Sequence, residues 1–164
     1  MSLSDMQVPI EPSTAHQLTH YDGTQRTVYV TQHEIAYPDG RLIISRTDLN
    51  GVLTHANDAF VELSGYERNE VIGQPHTILR HPDIPKIVYK EMWETLVAGK
   101  KWHGYVKNLR KDGGHYWVYA TAVPNIRGGK AVGYTSVRRK PSRRKIEEIS
   151  AVYKQQLAAE RDQA

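Results

Sequence analysis

The chain has 164 residues, room for one ordinary domain with short extensions, and its 39% hydrophobic content with ten Tyr and three Trp favours a folded core over disorder. The absence of cysteine excludes a disulfide framework and a thiolate metal site, and no run approaches the roughly 20 apolar residues that cross a bilayer, so a cytoplasmic domain is expected. The net charge of +4 is concentrated in Arg138–Lys145, which reads as a solvated linker because no aromatic stacking platform or DNA-reading motif accompanies it.

Residues 1–39 are polar and form an N-terminal cap of undefined structure, within which Arg26 to Glu34 alternates weakly as one extra strand or a cover for a sheet face. Residues 40–140 form the main domain. Leu42 to Thr47 reads as a strand, Asp48-Leu49-Asn50-Gly51 as a tight turn, and Val52 to Ala56 as the returning strand. Asn57 and Asp58 offer cap chemistry for a short helix, Ala59 to Ser64, stopped by Gly65. A second short helix spans Glu67 to Ile72.

A connector through Leu79-Arg80-His81-Pro82-Asp83-Ile84-Pro85 leads to a longer helix, Lys86 to Val97, with Ile87, Tyr89, Met92, Trp93 and Leu96 at helical spacing. A hairpin of Trp102 to Arg110 and His115 to Pro124 follows, then a last strand from Ala131 to Arg139. Residues 141–164 carry a helix with Ile146, Ile149, Tyr153 and Leu157 on one narrow stripe. The stripe suits a helix–helix seam, so this helix is expected to be a connector outside the sensing core; the competing reading folds it back on its own sheet. The order ββ-ααα-βββ predicts an α+β fold, one antiparallel sheet with helices on one face.

In the hairpin, Trp102, Gly104, Val106 and Asn108 share one face, as do Tyr116, Val118, Ala120 and Ala122. So little bulk either leaves room for a planar ligand or packs against very large helix side chains. Asn108 is out of character in mid-strand, and an inward amide needs partners, from a ligand or from the fold itself. Arg80, His81 and Asp83 lie on a connector, where functional groups concentrate, but Asp83 also suits the start of the following helix. Trp93 serves equally as core or as a ligand wall. The eight histidines show no metal-ligand spacing, and no phosphate-cradling glycine motif or nucleophile–base pair marks an enzyme.

Asn57-Asp58-Ala59-Phe60, Ser64-Gly65-Tyr66, Ile72-Gly73-Gln74-Pro75-His76 and Val132-Gly133-Tyr134-Thr135-Ser136-Val137-Arg138 resemble a PAS domain. The Arg80-His81-Pro82-Asp83 segment, Met92-Trp93 and the run from Trp102 to Gly113 resemble, more narrowly, the PAS domain of bacterial aerotaxis receptors. The resemblance implies five strands in the order 2-1-5-4-3 and a non-covalent FAD between sheet and helices. It assigns cofactor contacts to Asn57, Arg80, His81, Asp83, Tyr89, Trp93, Trp102 and Asn108. Tyr89 stands where the family often has Phe, and Leu109 where it often has Arg. It further implies a redox or oxygen sensor, not an enzyme, working as a homodimer and reporting to the signalling region of its own chemoreceptor. Nucleic acid has no part in that scheme, and the membrane enters only through the full receptor. The alternatives are a gas-sensing heme domain with His81 as axial ligand, and a ligand-free dimerisation module.

Overall fold

A computed structural model of the chain describes residues 3–20 and 22–162. Five strands form the main sheet: β3 (Ile43–Thr47), β4 (Leu53–Ala56), β5 (Trp102–Leu109), β6 (His115–Arg127) and β7 (Lys130–Arg139). Their order is β4-β3-β7-β6-β5 and every pairing is antiparallel, which is 2-1-5-4-3 counted within the sheet. Between its second and third strands lie α1 (Asp58–Ser64), α2 (Arg68–Val71), a 3-10 turn at His76–Leu79 and α3 (Lys86–Val97). Phe60, Val71, Leu79 and Tyr89 from these elements bury against Val106, Tyr116, Val118 and Ala120 of the sheet.

Local chemistry explains the first hairpin and its exit. Asp48 Oδ1 accepts from the amides of Asn50 (2.8 Å) and Val52 (3.0 Å), closing the turn. Gly51 takes φ +80°, and a Cβ there would lie 3.1 Å from His76 and 3.2 Å from Trp93. The position needs glycine for conformation and for space.

The N-terminal segment carries more structure than its composition suggests. β1 (Thr14–Thr19) and β2 (Gln25–Val30) pair antiparallel as a separate hairpin, so the expected single strand has a partner. Met6, Leu18, Val28 and Val30 form a small core with Leu109 of β5. Arg26 fastens the hairpin to the domain, donating to the Ser4 carbonyl (2.8 Å) and the Ile78 carbonyl (3.0 Å). Beyond β2, the amide of Ile35 donates to His115 O (2.7 Å) and that of His115 to His33 O (2.8 Å).

The C-terminal helix α4 (Arg143–Asp162) corrects the expectation of a free connector. Ile146 and Tyr153 are buried in the main core, with Ile149 packed beside them. The Tyr153 hydroxyl donates to the Tyr105 carbonyl of edge strand β5 (2.5 Å), and Glu160 accepts from the Ile87 amide in the first turn of α3 (3.1 Å). A narrow apolar stripe is therefore used against the molecule's own sheet edge, satisfying a carbonyl that an edge strand leaves unpaired.

The basic run is also not a bare charged patch. Lys140 pairs with Asp39 (2.6 Å), Arg143 with Glu34, and Arg144 and Lys145 with Glu148 (3.2 and 3.3 Å). Arg138 leaves the run altogether and turns into the domain.

Candidate cofactor-binding cavity

The inner sheet face, the 3-10 turn and α3 enclose a cavity of about 80 Å³. Tyr89, Met92, Trp93 and Leu96 wall one side, and Trp102, Val106, Ala120 and Ala122 the other. Arg80, Asn108, Ser45, Thr47, Ser136 and Arg138 supply the polar groups. A second space of about 220 Å³ shares His76, Thr77 and Trp93 with it and runs out beside His20 and Asp22 at the hairpin turn. The cavity thus has an interior end on the sheet and an outer end beneath the cap.

The small residues on the inner face play a part that differs from open space. A Cβ on Gly104 would lie 2.3 Å from the Trp102 ring. The indole lies along β5, over the position where glycine has no side chain. Trp93 meets Tyr134 edge-on at 5.3 Å, and His76 meets Trp93 at 5.3 Å, so the aromatic wall is itself packed.

Arg80 comes from the connector after the 3-10 turn. Its Nη1 donates to the Thr19 carbonyl (3.0 Å) and its Nη2 to the Ile84 carbonyl (3.2 Å). The guanidinium stands 5.1 Å from the Tyr89 ring centre, and its Nε is buried with no partner. Burial pulls the group below the usual arginine range, and among the described residues no carboxylate pairs with it. Its hydrogen bonds go to neutral groups and the Glu160 carboxylate acts on it only without direct contact, so the enclosed cation favours an anionic ligand.

Asn108 stands opposite Tyr116 in the β5–β6 register, and its backbone bridges to Arg80. The Tyr116 hydroxyl is buried without a hydrogen-bond partner, and burial pushes it up to about 12, so it stays a neutral donor. Of the two, Asn108 lines the cavity, and its amide offers both a donor and an acceptor to a heteroaromatic ring edge.

Of the eight sequence-derived site residues, Arg80, Tyr89, Trp93, Trp102 and Asn108 line this cavity and Asn57, His81 and Asp83 do not. Asn57 spends its amide on structure: Oδ1 accepts from Phe60 N (3.0 Å) and Ile44 N (3.1 Å), while Nδ2 donates to Leu42 O (2.9 Å). Neighbours on an extended segment point oppositely, so Arg80 faces the cavity and His81 the far side of the hairpin. There His81 Nδ1 accepts from Asp83 N (3.0 Å) and its ring meets His115 edge-on at 5.8 Å. Asp83 pairs with Lys107 Nζ at 2.7 Å and is half-exposed. His81 is therefore not placed to ligate an iron in this cavity.

Sequence reading missed His76, Ser45 and Arg138. His76 belongs to a 3-10 turn that has no apolar periodicity to reveal it, and burial lowers its pKa to about 4. Arg138 had a signal: it shares strand parity with Tyr134 and Ser136, which line the cavity too. The surrounding basic residues concealed that alternation.

The donor set fits a planar aromatic group with an attached diphosphate: aromatic walls, an amide at one end and arginines without carboxylates. The open volume is below the roughly 300 Å³ of ordinary ligand cavities, so a ring of flavin size requires Trp102, Met92 or Arg138 to shift. Among the described residues no cluster of three or more His, Asp or Glu is arranged to hold a metal, and no helix is long and apolar enough to cross a membrane.

A sequence-family model described as the PAS fold matches residues 53–138. The aerotaxis receptor of Escherichia coli K12 is 48% identical over 126 residues, which is 77% of this chain and 25% of the receptor. The nitrogen fixation regulatory protein of Klebsiella pneumoniae is 36% identical over 49% of this chain and 16% of its own length. The chain thus spans at most a quarter of these two relatives. Among solved structures, the PAS domain of a Colwellia psychrerythraea protein superposes with a TM-score of 0.51 at 27% identity, covering 61% of this chain and 86% of that one. The blue-light photoreceptor Aureochrome1 LOV domain gives 0.59 at 19% identity over 73% and 91%, a likeness of fold alone. Matched over more than half its length and built on the strand order 2-1-5-4-3, this chain belongs to the PAS-fold family.

Proposed function

We propose that this domain binds FAD non-covalently and serves as the redox- or oxygen-sensing input of a chemoreceptor of the aerotaxis type. The observation that carries this reading is the cavity itself, an apolar slot between Trp93 and Trp102 with Asn108 at its interior end and an unpaired Arg80 toward the cap. The similarity to the aerotaxis receptor supports it from the sequence side. Bound FAD supplies one- and two-electron chemistry. The chain's own residues do the rest. Trp93, Trp102 and Tyr89 exclude water from the ring, Asn108 orients its polar edge, and Arg80 meets the diphosphate. Because Arg80 also holds Thr19 and Ile84, a change at the diphosphate reaches the N-terminal hairpin directly. The hairpin and α4 then form the surfaces through which a homodimer or the signalling region of the same receptor senses the cavity. Purified protein reconstituted with FAD should show the two-band absorption of a bound flavin, with fluorescence quenched by the two tryptophans. A protein that takes up no flavin, or that purifies with the single strong band of heme, overturns the reading.

A further inference from the structure

Arg138 enters the cavity from β7, the strand at the centre of the sheet. Its Nη1 donates to Ser45 Oγ (3.0 Å), and its guanidinium carbon lies 5.4 Å above the Phe60 ring. Among the described residues that hydroxyl is its one side-chain acceptor, and no carboxylate pairs with it. The charged or ionisable groups that feel it are Tyr116, Tyr37, Tyr89 and His76. Burial holds the two interior tyrosines, Tyr89 and Tyr116, up at about 12, and the imidazole is neutral, so none of these cancels the charge. A desolvated cation without a counter-charge destabilises a fold, and Arg138 lines the same cavity as Asn108, with the Tyr116 hydroxyl near enough to feel its charge.

We propose that Arg138 is the counter-ion for negative charge on the ring of the bound ligand, and so a determinant of its redox potential. This rests on the flavin reading above. An external electron carrier that delivers two electrons, with one proton taken up at N5, turns the neutral ring into a monoanion. The added charge lies along N1 and the C2 carbonyl, on the pyrimidine edge that Asn108 is placed to receive. Arg138 stabilises that charge and keeps a second proton off N1. It contributes little to the oxidised, neutral ring. Arg80 and Arg138 thereby divide the work: the first holds the part of the ligand that is always charged, the second the part whose charge changes.

The test compares wild type with Arg138→Met, which keeps length and apolar bulk, and Arg138→Lys, which keeps charge. Each is measured ligand-free by urea unfolding and reconstituted with FAD by spectroelectrochemical titration. Arg138→Met should unfold at a higher urea concentration than wild type without ligand, since a partly buried charge with no carboxylate partner is gone. It should bind oxidised FAD within threefold of wild type but reduced FAD at least tenfold more weakly. A tenfold loss on the reduced form with none on the oxidised form lowers the potential by about 30 mV for a two-electron couple. Arg138→Lys should stay within threefold on both forms. Equal losses for oxidised and reduced FAD, or a potential that Arg138→Met leaves in place, overturn the proposal while the flavin reading stands. If Arg138→Met does not fold, a lysine variant whose potential falls as far as tenfold weaker reduced-form binding implies overturns it instead. A wild-type protein that takes up no flavin removes both, and is recognised before any variant is compared.

Discussion

The Arg80 guanidinium donates to the Thr19 carbonyl at 3.0 Å, joining the wall of the cavity to the first strand of the N-terminal hairpin. The same side chain holds Ile84 O, so one residue joins the connector to the cap at the cavity wall. Arg80→Ala leaves two carbonyls without their donor and should cost about 1–3 kcal/mol of stability by urea unfolding. It should weaken FAD more than lumiflavin, which has no diphosphate. Equal losses for the two ligands would restrict Arg80 to its structural role.

Asn108→Ala removes a polar contact at the interior end and little volume. The domain should stay folded by circular dichroism, while flavin affinity drops by about 1–3 kcal/mol, the value of one buried hydrogen bond to the ring. Tyr116→Phe is the companion variant, since its hydroxyl is the orphan next to that amide. Unchanged flavin content and unchanged potential in Asn108→Ala would remove it from the site.

Truncation after Pro141 tests α4. It exposes the surface under Ile146 and Tyr153 and frees the Tyr105 carbonyl. Two buried side chains are worth roughly 1.5–3 kcal/mol each, so the truncated domain should unfold at a clearly lower urea concentration. Tyr153→Phe isolates the hydrogen bond and should cost about 1 kcal/mol. A truncated protein as stable as the full chain would restore α4 to the role of a free connector.

Acid should destabilise the fold before carboxylates are protonated. Burial lowers both His76 and His115 to about 4, with the Lys107 charge adding to the effect at His115. Their ordinary value is 6.5, so between 6.5 and 4 the unfolded chain binds protons that the fold refuses. The stability these neutral rings carry is therefore complete above about pH 6.5 and declines as the pH falls toward 4. The urea midpoint at pH 5 should lie below that at pH 7.5, and His115→Asn should narrow the gap. A midpoint that is level or higher at pH 5 contradicts this account.

Much of the fold was legible because its causes are local. Apolar spacing gave α3 its full extent, Lys86–Val97, and alternation gave the β5–β6 hairpin, each within a residue or so at the ends joined by the turn. Asp48 and Gly51 announced their turn, and alternation on β5 identified the Trp102 and Asn108 face that lines the cavity. The rest depended on partners distant in sequence. β1 has few apolar residues and is a strand only because Gln25–Val30 pairs with it. The stripe on α4 is compatible with a partner helix or with its own sheet, and a free carbonyl on edge strand β5 decided between them. Asn57, His81 and Asp83 look like ligand contacts in the one-dimensional motif, yet Asn57 caps a helix, His81 Nδ1 takes the Asp83 amide and Asp83 pairs with Lys107, all outside the cavity. Arg138 shows the reverse: charge among like charges reads as solvent-facing, whereas the pleat of a central strand turns that one guanidinium inward. Sequence alone determined the strands and helices of residues 40–140 and several of the residues chemically able to hold a cofactor. Tertiary structure decided which of those side chains share an enclosed space, because enclosure depends on the direction a backbone aims each residue once distant elements have paired.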